Sequence, residues 1–97
     1  MRRTSLRPFL ARVRSEWPDF PVSVRPWMSD DDPSIRHFIN LLNVPEEEAL
    51  RVSYRAWELA LEVYGDAPAP FFLTACDPDI SAAYFPEQLA RHRRRPD

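Results

Sequence analysis

Asp30-Asp31-Asp32 is the densest run of metal-capable oxygens in this 97-residue sequence. A calcium loop needs alternating ligands, a central glycine and a distal bidentate glutamate. None of these is in place. The run reads instead as a helix start: Asp32 caps, Pro33 follows, and Asp30 and Asp31 sit at the positive end of the helix dipole. Cys76-Asp77-Pro78-Asp79 offers a second set of ligand types, with His37 or His92 as a distant nitrogen. One cysteine and two scattered histidines do not make a zinc pattern. A Cys76 nucleophile with a histidine base is the remaining covalent option. A cysteine closing Phe71-Phe72-Leu73-Thr74-Ala75-Cys76 reads better as a small core residue. There is one glycine, so glycine-rich phosphate loops are excluded. All thirteen basic residues are arginine, which removes Schiff-base and phosphate-loop lysines. The sequence is read as a non-enzyme with no metal and no cofactor.

Two other sets of residues have the chemistry of binding. Arg2, Arg3 and Arg7 stand at one end, and Arg91, Arg93, Arg94 and Arg95 at the other. If the termini meet, these form one phosphate-binding patch, which is the basis of a nucleic-acid reading. Against it, the chain is net −2, and no aromatic residue is interleaved with the C-terminal arginines to stack bases. The second set lies in the connection 18–32. Phe20, Trp27 and Met28 are large apolar groups there, with Arg25 as a polar contact. Aromatics, Met and Arg are enriched at interfaces. Prolines 18, 21, 26 and 33 restrict this connection, so less entropy is lost when a partner holds it. The competing reading folds Phe20, Trp27 and Met28 back as a lid on the core. The preferred expectation is a protein-binding module: an adaptor, an inhibitor or a small subunit. Self-association is left open.

These residues must be positioned by a fold, and the sequence predicts an all-α one. Residues 45–64 read as the central helix. Asn43 caps it with Glu46 as a capping box, and Gly65 ends it at a left-handed position. Its apolar residues form two adjacent stripes. Leu50, Tyr54, Trp57, Leu61 and Tyr64 make one; Ala49, Val52, Ala56, Leu59, Ala60 and Val63 make the other. Both are expected in the core, with a dimer or helix-binding face as the alternative. Ser5 to Trp17 reads as a second helix, buried through Leu6, Phe9, Leu10, Val13 and Trp17. Asp32 to Leu42 reads as a third, with Ile35, Phe38, Ile39 and Leu42 inward and His37 beside them. Val22 to Arg25 is an edge strand at best. Phe71 to Cys76 is assigned to a helix because no partner strand is evident. Short helices follow from Asp77, with Ile80, Ala83 and Tyr84 inward, and from Pro86, with Leu89 inward. The result is a single domain, a bundle of four or five helices joined by proline-rich connections.

Charge is uneven along the chain: net +4 over residues 1–28, −6 over 29–66 and 0 over 67–97. No apolar run reaches the roughly eighteen residues of a membrane helix. The opening ten residues are followed by Ala-Arg-Val-Arg-Ser-Glu, charged where a signal peptide would be apolar. A single cysteine fits a reducing compartment. No membrane partner is expected, and the expected location is cytoplasmic.

Overall fold

The described residues fold as four helices around a three-stranded mixed sheet, so the expected all-α helical bundle is corrected to an α+β fold. The computed structural model describes residues 5–26, 35–67 and 69–94. Helix α1 is Arg7–Glu16, strand β1 is Val22–Pro26 and strand β2 is His37–Leu41. A 3₁₀ turn, Glu46–Glu48, runs into helix α2, Ala49–Tyr64. Strand β3 (Phe71–Ala75) and helices α3 (Pro78–Tyr84) and α4 (Pro86–Arg94) complete the order. β2 is the central strand, with β1 antiparallel on one side and β3 parallel on the other. α2 is therefore the crossover that a parallel pair requires.

Two helices predicted from sequence are strands, and one error caused the other. Ile35, Phe38, Ile39 and Leu42 do have helical spacing, but residues 37–41 pair as β2. Ile39 and Leu41 face α1 and α2, while Phe38 and Asn40 face the other way. Ile39, Asn40 and Leu41 are all buried. A strand covered on both faces loses the alternation that marks a strand. Phe71 to Ala75 then lacked a visible partner, and β2 was that partner. The third predicted helix is withdrawn with it. β1 agrees with the expected edge piece and ends on Pro26.

The main core lies between the sheet and the α1–α2 pair. It contains Phe9, Val13, Ile39, Leu41, Val44, Val52, Leu59 and Ala60. The Phe9 ring stacks on Phe71 at 4.5 Å. A smaller cluster of Leu42, Phe85 and Leu89 anchors α4. In α3 the inward residue is Ser81, whereas Ile80, Ala83 and Tyr84, expected inward, are exposed. Asp77 caps α3 by accepting from the Ile80 N–H at 2.8 Å.

The two ends of the crossover depend on special backbone geometry. The predicted capping box does not form: Pro45 occupies the cap position of the 3₁₀ turn, with no side-chain cap. Asn43 instead takes a positive φ of 58° and donates its N–H to Ser81 Oγ at 2.9 Å. At the other end Gly65 has φ 60° and ψ −128°, and the Ala67 N–H donates to the Tyr64 carbonyl at 3.1 Å. This is a type II′ turn, whose first central position calls for glycine. The positive φ agrees with the sequence reading; the left-handed helical ψ does not. Nothing lies within 4 Å of a Cβ at Gly65, so the cost of a side chain is backbone strain. Gly65→Val is expected to destabilise by about 2 kcal/mol in chemical denaturation.

Candidate protein-interaction surface

α2 is wound so that its two apolar stripes face opposite ways. Val52, Ala56, Leu59 and Ala60 are buried against α1 and the sheet. Leu50, Tyr54, Trp57 and Leu61 are instead 68%, 66%, 63% and 51% exposed. At 100° per residue these four occupy an arc of about 60°, nearly opposite Leu59. The expected burial of Trp57 is thus overturned. Tyr64 alone of that stripe turns inward: its hydroxyl donates to the Ser5 carbonyl at 2.8 Å, and its ring lies beside Phe9 and Phe71.

One flank of the exposed stripe is a charged network that fixes α2 to α1. Arg12 pairs with Glu62 at 2.8 Å. Arg55 donates to both carboxylate oxygens of Glu16, at 3.1 and 3.2 Å, and reaches Glu58 at 3.4 Å and Glu62 at 3.5 Å. The Arg12 guanidinium holds the Glu62 carboxyl below the usual carboxylate range. The Glu16 hydrogen bonds chiefly hold Arg55 protonated. Arg51 stands apart: among the described residues its carboxylate neighbour is Glu48, at 4.0 Å, and most of its side chain is in solvent. A shallow groove lies along this flank, lined by Trp17, Leu50, Arg51, Tyr54, Arg55 and Glu58 among others.

No protein-family model, curated protein or solved structure matches the chain. The surface must be read from its own chemistry. Its apolar content was visible in the sequence, but its direction was not.

Of the predicted partner-binding set, Phe20 and Arg25 are described, and they lie apart. Phe20 is half-buried, stacks on Trp17 at 6.4 Å and packs against the main core. Arg25 lies on the other face of the sheet, its guanidinium 5.0 Å from the Phe85 ring centre. Trp27 and Met28 lie outside the described residues, as do Asp30, Asp31 and Asp32. Of the terminal arginines, Arg2, Arg3 and Arg95 also lie outside, and the side chains of Arg93 and Arg94 are not described. Arg7 is exposed at the start of α1. Arg91 lines a groove with Arg14, Trp17, Phe20 and His92 at the end of α1, roughly 10 Å along the axis from Arg7. The arginines described from the two termini do not form one patch.

The thiol of Cys76 is set among polar groups, not beside a base. It lies 3.7 Å from Asn40 Oδ1, which also accepts from Thr74 Oγ1 at 2.8 Å. His37 pairs with Phe71 at the far end of the parallel ladder, roughly 16 Å along the strand from Cys76. Burial pushes the thiol pKa up, the Thr74 hydrogen bond opposes this, and Asp77 adds to it. The thiolate is the reactive form. Iodoacetamide at pH 8 is therefore expected to modify native Cys76 several-fold more slowly than the unfolded chain, read by mass spectrometry. Among the described residues, no His, Cys, Asp and Glu side chains cluster as a metal site, and no helix is long and apolar enough to cross a membrane.

Proposed function

We propose that this chain is a non-enzymatic protein-binding module whose docking surface is the outer face of α2. The observation that supports it is the continuous exposure of Leu50, Tyr54, Trp57 and Leu61 on one rigid helix. Single exposed apolar residues are ordinary, but a contiguous stripe rimmed by charge marks an association surface. Tyr and Trp are residue types that dominate interface energies. The helix is held from behind by Leu59 and from the side by the Arg55 network, so little ordering is needed on binding.

This reading replaces the connection 18–32 as the placed surface. Of the arginines behind the nucleic-acid alternative, Arg7 and Arg91 have described side chains, and they stand at opposite ends of α1. The test uses a photo-crosslinking phenylalanine analogue at Tyr54 in the native host. A protein adduct that disappears when Leu50→Glu and Leu61→Glu are added supports the module. Absence of any protein adduct, or one indifferent to those two substitutions, overturns it.

A further inference from the structure

We infer that the occupant of the α2 stripe is a second copy of this chain, packed as an antiparallel helix pair about a two-fold axis between Tyr54 and Trp57. The inference rests on the reading of α2 as a docking surface and names its partner. Its ground is the order and spacing of the stripe. From Leu50 the exposed side chains follow at intervals of four, three and four residues, as Leu, Tyr, Trp, Leu. The pattern is the same read from either end: leucines outside, large aromatics inside. A two-fold interface presents the same patch to itself, so each residue meets its counterpart across the axis. At a rise of about 1.5 Å per residue, antiparallel pairing brings Leu50 level with Leu61 of the second copy, and Tyr54 level with Trp57. A parallel pair would also set leucine on leucine, but it would turn the Arg51 flank toward the opposite one, where α2 carries Ser53 and Ala60 and no carboxylate.

The charges agree with the same arrangement. In an antiparallel pair with this symmetry, each flank of one helix faces the same flank of the other. Arg51, Glu58 and Glu62 all lie on one flank of the stripe. The axis through the middle of the stripe places Arg51 between Glu58 and Glu62 of the second copy, about 3 Å along the axis from each. Arg51 is the cation on this flank that the fold leaves nearly free, since its carboxylate contact within the chain is the 4.0 Å approach to Glu48. Arg12 and Arg55 are engaged with Glu16, Glu58 and Glu62. The groove lined by Trp17, Leu50 and Tyr54 runs along this flank, level with Trp57 of the second copy. Four aromatic side chains across the pair cover roughly 150–250 Å² each. Scaled by their exposure, these and four leucines supply most of the roughly 1,200 Å² at which stable interfaces begin, and the flanking charged side chains add to it.

Sedimentation equilibrium on the full chain from 1 to 100 µM provides the test. The expected result is twice the 11.4 kDa chain mass, falling to the monomer in Leu50→Glu/Leu61→Glu while circular dichroism remains native. Arg51→Glu is expected to weaken the dimer about tenfold. Adding Glu58→Arg to it is expected to recover affinity, because the two charges exchange places across the axis. A wild-type monomer at 100 µM overturns the inference, as does a dimer indifferent to the leucine substitutions or a charge swap that recovers nothing. The wider reading fails separately: a monomer whose Tyr54 adduct contains a different protein sinks the second copy and keeps the module. A monomer with no stripe-dependent adduct sinks both.

Discussion

Phe9→Ala is expected to cost about 3–5 kcal/mol and to bring the domain close to unfolding. Phe9 is fully buried at the meeting point of α1, α2 and β3. Its ring stacks on Phe71 and lies beside Tyr64, so truncation empties a cavity walled by three elements. None of those walls can close it without moving a helix. A domain of 97 residues has a total stability of roughly 5–15 kcal/mol. The melting temperature should therefore fall by more than ~12 °C. A change of a few degrees would show that α1 is not packed on β3 as described.

The second expectation contrasts two neighbours on α2. Leu59→Ala should cost about 2–5 kcal/mol, because the side chain is fully buried and its removal leaves a void between α2 and the sheet. Trp57→Ala, two residues earlier and with a far larger side chain, should change stability by less than about 0.5 kcal/mol. Both are to be measured by urea denaturation of the dilute chain, where self-association adds nothing by mass action. The reverse order would mean that α2 is rotated by half a turn. Equal losses would mean that both stripes are buried, as the sequence alone had suggested.

That suggestion failed for a physical reason. The stripe facing the core consists of Val52, Ala56, Leu59 and Ala60, mostly small residues. Small side chains let a helix lie close to its neighbours. Both stripes are apolar, and a helix apolar over most of its circumference reads as covered on more than one side. Elements set by a local signal were legible: α1 from its i, i+3, i+4, i+7 spacing, α3 from Asp77 and Pro78, and the end of α2 from Gly65. The sheet was not. His37–Leu41 finds its partners in Val22–Pro26 and Phe71–Ala75, and pairing over such separations leaves no periodic trace in either segment. The exposed stripe was legible in content, but its position depended on which way α2 turned. Phe20 and Arg25 were grouped because both lie in the connection 18–32, yet the alternation of β1 turns Arg25 to the face away from the main core.

The parallel pairing of β2 with β3 also orders events in time. β1 and β2 are joined by a short stretch of chain, whereas His37 sits opposite Phe71, thirty-four positions later. Closing so long a loop costs roughly (3/2)RT ln n, about 3 kcal/mol, before any contact repays it. The 3₁₀ turn and α2 shorten that loop as they form, since a helix advances only about 1.5 Å per residue. During synthesis β2 thus emerges with one edge satisfied and one edge open. It stays open until α2, the connection 65–70 and β3 itself have left the ribosome. The open edge carries the same Ile39 and Leu41 that later disappear into the fold. The crossover helix is the clock that decides how long they wait.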